Sequence, residues 1–292
     1  MVAVAKATAL EILSEPLTLL VLLASLAMAV LAPAFHYHQF GEATRMARDA
    51  GFSAFFTCGS VVAVFGTIRA FRREIESGTI QMAFSRPISR GAFFVAKSFG
   101  AFAAYLVFAA IVFGTSLAVV EGARVGGEIA ARSGGMARLS GPFLAMGAAV
   151  MVLPLALGAV LNRFARFRFV LTAVVASLAL AASVGGVIAA LDFPLFARYA
   201  PAFVLLLQPS LVLVAASAAF AVRFRANVAA SAVGIVAALC VPAVGNYYMA
   251  DALSNGGRLP WGYVAFAALA ALPAALAFAI LGIRFIVGRE VS

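Results

Sequence analysis

Charge is scarce in this sequence. Only 11% of its 292 residues are Asp, Glu, Lys or Arg, against 65% hydrophobic, and the mean hydropathy is +1.08. That balance excludes an ordinary soluble globular domain. Cysteine is nearly absent. Cys58 and Cys240 both lie inside apolar runs, where they read as small core residues and not as a disulfide or metal pair. The two histidines, His36 and His38, flank Tyr37. On a strand they would share a face and could hold a metal. No carboxylate or cysteine stands beside them to complete a site, so an interfacial tyrosine is the plainer reading. There is no HExxH pair, no mid-span His or Lys to serve a buried serine as base, and no Walker-type phosphate loop.

The eleven acidic residues are also informative by position, because none falls in the middle of an apolar run, and neither does any Lys or Arg. Ion-coupled carriers usually place ionisable groups near the bilayer midplane, where their burial serves ion binding. The chain therefore shows neither an energy source nor a catalytic constellation. We expect no enzyme activity, no catalytic residues, no metal site and no cofactor in this chain. If it moves something, the energy comes from a partner. The formal net charge of +10 does not point to nucleic acid, because the arginines sit at the ends of apolar runs, where topology-setting charge belongs.

What is abundant is apolar sequence in runs of 18 residues or more, each long enough to cross a hydrocarbon core of about 30 Å as a helix. The runs are continuous and not alternating, which favours helices over a barrel. The expected fold is an all-α polytopic membrane protein with one transmembrane domain over residues 1–292. Residues 1–15 read as a short interfacial helix, and Pro16 suits the first turn of the next. Spans are expected near 17–35, 51–68, 92–120, 141–161, 169–191, 202–222, 228–246 and 261–283. Residues 36–50 and 247–260 read as polar loops, and 121–140 as a glycine-rich loop with at most one short helix. Residues 162–168 and 223–227 read as basic turns, and 191–201, with two prolines, as a short connection. A kink is expected at Pro154. Gln208-Pro209 interrupts the sixth span, and the count falls to six if 192–222 is re-entrant. With both termini inside, the inner segments carry fourteen Lys and Arg and the outer segments seven, a bias that supports this orientation.

One polar stretch stands out, REIESGTIQMAFSRPISR at residues 73–90. With its flanks it spans 69–91 and gathers Arg69, Arg72, Arg73, Glu74, Glu76, Arg86 and Arg90, with Lys97 following. Arg69 to Phe84 can continue the second span as a helix. Gly78-Thr79 is a poor place for an unbroken one. Pro87 ends the helical run and biases Arg86 to an extended conformation, and Ser89 is placed to cap the third span. Two readings stand on these residues alone. One is an amphipathic element docking a partner at the membrane surface. The other is a solvated loop with topology-setting arginines.

The run from Arg73 through Ile80, then Ser85-Arg86-Pro87-Ile88-Ser89-Arg90, then Phe94 and Lys97, resembles the signature of ABC transporter permeases of the type-2 exporter class. The order is Glu-x-x-x-Gly-Thr, then Pro-Ile-Ser-Arg, then a Lys in the next span. The chain end from Phe285 to Arg289-Glu290 is similar to the cytoplasmic finish of many members. RFRAN at 223–227, and the loop ending Gly256-Gly257-Arg258-Leu259-Pro260, look like an eight-span branch near the permeases for copper-enzyme maturation. The resemblance implies a multi-pass permease of the bacterial inner membrane without ATPase activity, paired with a second permease, identical or related. ATP and Mg would belong to a separate cytoplasmic ABC ATPase. It further implies that the stretch between spans two and three is a coupling helix, with Glu74, Glu76, Gly78, Thr79, Arg86, Pro87, Ser89 and Arg90 as its contact residues. A non-transporting scaffold that recruits a cytosolic ATPase is the rival reading.

Overall fold

The computed structural model describes residues 1–31, 43–77, 89–133, 141–243 and 259–288. Among these residues there is no strand, and helices account for nearly all of them. They are α1 (Val2–Leu13), α2 (Pro16–Leu31), α3 (Ala43–Val61), α4 (Thr67–Glu76), α5 (Arg90–Ser133), α6 (Gly141–Ala165), α7 (Phe169–Leu191), α8 (Phe193–Arg223), α9 (Ala226–Ala243) and α10 (Trp261–Val287). A π-helical segment, Val62–Gly66, joins α3 to α4 without a break. Six helical stretches are long and apolar enough to cross a membrane, and seven if the bent pair α1–α2 counts as one. The shorter apolar helices are α2, of 16 residues, and α9, of 18. Pro16 opens α2, and α7 spans the expected residues.

Three sequence expectations need correction. The loop expected from residue 121 is helical as far as Ser133. Arg124 pairs with Glu121 three residues before it and Glu128 four after it, each at 2.6 Å, which staples the helix. Gly126 and Gly127 cost only about 1 kcal/mol each in a helix, too little to stop it. Second, the connection expected over 191–201 shrinks to Asp192, and the interruption expected at Gln208-Pro209 is absent, because α8 runs unbroken from Phe193 to Arg223. Pro194 lies in the first turn, where a backbone N–H has no intrahelical acceptor. Asp192 supplies the cap there, accepting from the Leu195 N–H at 3.0 Å. Pro201 and Pro209 lie deeper, where packed neighbours can satisfy freed backbone groups. Third, α3 starts at Ala43, so Arg45, Arg48 and Asp49 are helical and not in a loop. Their ion pairs, Arg48 with Asp49 at 2.8 Å and Arg45 with Asp49 at 3.9 Å, lie along that helix.

The expected basic turn after the fourth span is tighter than residues 162–168, since α6 continues to Ala165 through Pro154. Arg166 takes φ 55, the left-handed region that favours glycine. The Asn162 side-chain amide donates to the Phe167 carbonyl at 2.7 Å and closes the turn. His36 and His38 lie outside the described residues.

Two compact units divide the chain. One holds Met1–Ile12, Ser60–Leu106 and Val204–Ser292; the other holds Leu13–Gly59 and Val107–Phe203. The second unit packs α6 against α7 and builds an aromatic cluster in which Phe203 meets Phe55 and Phe113 at centroid distances of 4.2 and 4.1 Å. Close helix approach there needs small residues: a methyl at Gly114 would strike the Ala181 backbone. The first unit has its own core around Phe71, Phe93, Phe94, Leu213, Val222 and Ile286. Gly282 of α10 lies directly on the Phe94 ring. The central polar stretch roots in this first unit.

Candidate coupling site

Both roots of the stretch are described. α4 ends at Glu76, and the Ser77 N–H donates to the Arg73 carbonyl at 3.0 Å. α5 begins at Arg90, capped by Ser89, whose Oγ accepts from the Ala92 N–H at 3.2 Å. The expected cap is therefore present. Gly78, Thr79, Arg86 and Pro87 lie outside the described residues.

Several of the charged groups at the roots reach another element of the same unit, although Arg73 and Glu76 keep 70% and 62% of their side-chain exposure. Lys97 Nζ lies 2.6 Å from Glu74 Oε1, which joins α5 to α4. The lysine is fully buried although Glu74 keeps 30% of its side-chain exposure. Its ammonium also lies 5.5 Å from the centre of the Phe71 ring and 5.9 Å from that of Phe93. Arg72 meets Glu76 at 2.6 Å and donates to the Phe224 carbonyl, just past α8, at 3.4 Å. Arg73 reaches Glu11 of α1 at 3.3 Å, and Arg90 donates to the Val287 carbonyl at the end of α10 at 3.2 Å. Arginines at those two carbonyls also sit well at helix C-termini, where the dipole favours cations.

α1 is held close as well. A methyl at Gly100 of α5 would strike the Ala5 carbonyl oxygen, and one at Gly66 would come within 3.0 Å of Ile12. One end of this unit thus collects the ends of α1, α4, α5, α8 and α10 around the two roots. The described links are the Lys97–Glu74 and Arg73–Glu11 ion pairs and the arginine donations to the Phe224 and Val287 carbonyls. No group of three or more His, Cys, Asp or Glu placed to hold a metal occurs among the described residues.

Of the residues singled out in sequence, Glu74, Glu76, Ser89 and Arg90 come together here. Sequence reasoning counted Arg72 and Lys97 among the charges of the stretch but gave neither a partner, and it did not tie Glu11 or the Val287 carbonyl to the stretch. The available signal was energetic: a lysine within the first turns of a long apolar helix needs a counter-charge, and Glu76 and Glu74 are the two nearest acids before it.

The family model described as ABC-2 family transporter protein matches residues 13–183, more than half of the chain. The chain belongs to the ABC-2 transporter family. As an ABC-2 permease it is a multi-pass membrane component of an ABC transporter, a family that works with a cytoplasmic ABC ATPase. The matched region includes the second and third spans and the stretch between them. No curated protein and no solved structure matches the chain.

Proposed function

We propose that this chain is the permease subunit of an ATP-driven ABC exporter in the bacterial inner membrane. In this reading residues 69–91 form the coupling element, with Glu74, Glu76, Gly78, Thr79, Arg86, Pro87, Ser89 and Arg90 at or beside the contact. The ATPase is a separate cytoplasmic chain that holds ATP and Mg. Two permeases, identical or related, pair to form the path, both termini face the cytosol, and eight spans cross the membrane. The branch near the permeases for copper-enzyme maturation is the assignment we favour within the family. ATP-driven closure of the ATPase pair moves the coupling element, and the anchored roots turn that movement into displacement of the spans.

The observation that carries this reading is the double anchoring of the stretch, with Glu74 on Lys97 at one root and Arg90 on the α10 carbonyl end at the other. A solvated loop that only sets topology has no need of a buried ion pair at its base. The test is co-purification from detergent with its native cytoplasmic ATPase candidates, comparing wild type with the double variant Glu74→Ala, Arg90→Ala. We expect the wild type to retain the ATPase, and the variant to lose it or to lose stimulation of ATP hydrolysis. No ATPase on the wild type sinks the reading. ATPase binding without nucleotide-dependent substrate flux in proteoliposomes would make the chain a scaffold.

A further inference from the structure

A cavity of about 360 Å³ opens at the C-terminal ends of α8 and α10, lined by Val222, Arg223, Arg284, Phe285 and Gly288. Among the described residues its charged lining is cationic, Arg223 and Arg284, with no carboxylate. Both arginines are exposed. Arg223 lies 6.0 Å from the ring centre of its neighbour Phe224, and among the described residues neither arginine makes an ion pair. The volume falls within the roughly 300–1,000 Å³ typical of small-ligand sites.

Its position along the helix narrows the ligand. The stretch of α10 from Trp261 to Arg284 is roughly 34 Å long at 1.5 Å per residue, slightly more than a hydrocarbon core of about 30 Å. Trp261 at one end and Arg284 at the other therefore sit at headgroup depth. Between them runs a stripe of exposed apolar side chains at four-residue spacing: Leu272, 50% exposed, Leu276, 61%, and Ile280, 56%. Arg284 is the next member of that stripe. An apolar rail that ends in a guanidinium, beside a second guanidinium in a cavity, matches one chemistry in particular. That is an acyl chain joined to an anionic phosphate.

We propose that Arg223 and Arg284 form a headgroup site for an anionic phospholipid whose acyl chain lies along Leu272, Leu276 and Ile280. Basic pockets between helix ends are suited to this role, and guanidinium binds phosphate through paired N–H donors. Arg72 and Arg90 sit nearby but already donate to the Phe224 and Val287 carbonyls. Arg223 and Arg284 are accordingly the pair left to meet the phosphate. The site does not depend on the ATPase or on transport. It requires only that the helix crosses the membrane.

The test uses the full-length protein in neutral detergent, with thermal unfolding followed against added phosphatidylglycerol, phosphatidylcholine or inorganic phosphate. Phosphatidylglycerol should stabilise the wild type beyond phosphatidylcholine. The double variant Arg223→Gln, Arg284→Gln should bind phosphatidylglycerol about tenfold more weakly, seen as a right-shifted titration, while its phosphatidylcholine response is unchanged. Arg168→Gln, an exposed arginine outside the cavity, should leave the phosphatidylglycerol titration where it is. Equal response to the two lipids, or a full phosphatidylglycerol response in the double variant, overturns the proposal. Inorganic phosphate reproducing the effect in millimolar amounts overturns the lipid assignment. If the double variant does not fold, Arg284→Gln alone is titrated against Arg284→Lys. The lysine should retain much of the lipid preference and the glutamine should not; the same titration for both overturns the proposal.

Discussion

Lys97 is fully buried within the first turns of α5, and Glu74 of α4 meets it at 2.6 Å from a position that keeps 30% of its exposure. The two halves of this ion pair are therefore unequal. Water can reach the carboxylate if the pair breaks, but it cannot reach the ammonium without unpacking Phe71 and Phe93.

Glu74→Gln leaves the ammonium buried without its counter-charge. We expect a loss of about 3 kcal/mol, the low end for breaking a buried pair, because part of this one is exposed. Lys97→Met removes the buried charge and leaves a carboxylate that can hydrate, so it should cost less, about 1 kcal/mol or nothing. The double variant should lie close to Lys97→Met. Thermal unfolding of the three variants in one detergent measures the order. An equal loss from the two single variants would show that the pair is not asymmetric.

Gly100 and Gly186 make a matched pair for a packing test. A methyl at Gly100 would strike the Ala5 carbonyl, which belongs to the backbone of α1 and cannot swing aside. Gly100→Ala should cost about 1–3 kcal/mol as overpacking and loosen α1 from α5. Gly186 in α7 has nothing within 4 Å of the same added atom. Gly186→Ala should be neutral or stabilising by up to about 1 kcal/mol through helix propensity. Hydrogen exchange over residues 2–13 reports the first effect directly, with faster exchange expected only in Gly100→Ala.

Much of this was legible in sequence, because membrane helices announce themselves by length and hydropathy. The start of α2 at Pro16, the whole of α7 and the cap at Ser89 follow from local rules. The errors came where a local signal was overruled by a distant partner. Residues 121–133 carry glycines and charges that read as a loop, and the charges turn out to pair along the helix. Arg124 also reaches Asp192, at 3.2 Å, a contact 68 positions away that no local pattern reveals. The prolines at 194, 201 and 209 read as breaks, yet α8 runs through all three, and the Gln208 amide beside Pro209 ties it to the Val264 carbonyl of α10 at 2.8 Å. At the candidate coupling site the motif was visible, but its attachment to α1, α8 and α10 depends on tertiary contacts.

Ser89 sets where α5 begins. Ser89→Ala removes the acceptor for the Ala92 N–H and should cost about 1 kcal/mol, most of it as fraying of the first turn. Ser89→Asp restores an acceptor and should recover that loss. Amide exchange at Ala92 and Phe93 gives the structural readout. If the stretch couples to an ATPase, Ser89→Ala should lower substrate-dependent stimulation of ATP hydrolysis with little change in ATPase retention. Unchanged exchange in Ser89→Ala would mean that another group holds the turn.

Arg124 is the hub of a separate charged cluster, with Glu121, Glu128 and Asp192 at 2.6, 2.6 and 3.2 Å. The three acids differ in how well water can replace the arginine. Glu121 keeps only 6% of its side-chain exposure, Asp192 21% and Glu128 50%. Arg124→Gln should therefore cost about 3 kcal/mol, dominated by the stranded Glu121 carboxylate. Glu128→Gln breaks an exposed pair and should cost less than about 0.5 kcal/mol. Adding Glu121→Gln to Arg124→Gln should restore part of the loss, because the buried carboxylate is then neutral. Adding Glu128→Gln should restore nothing. Thermal unfolding of these four variants decides the matter. Equal rescue by both acids would place the cost in the network as a whole and not in the burial of Glu121.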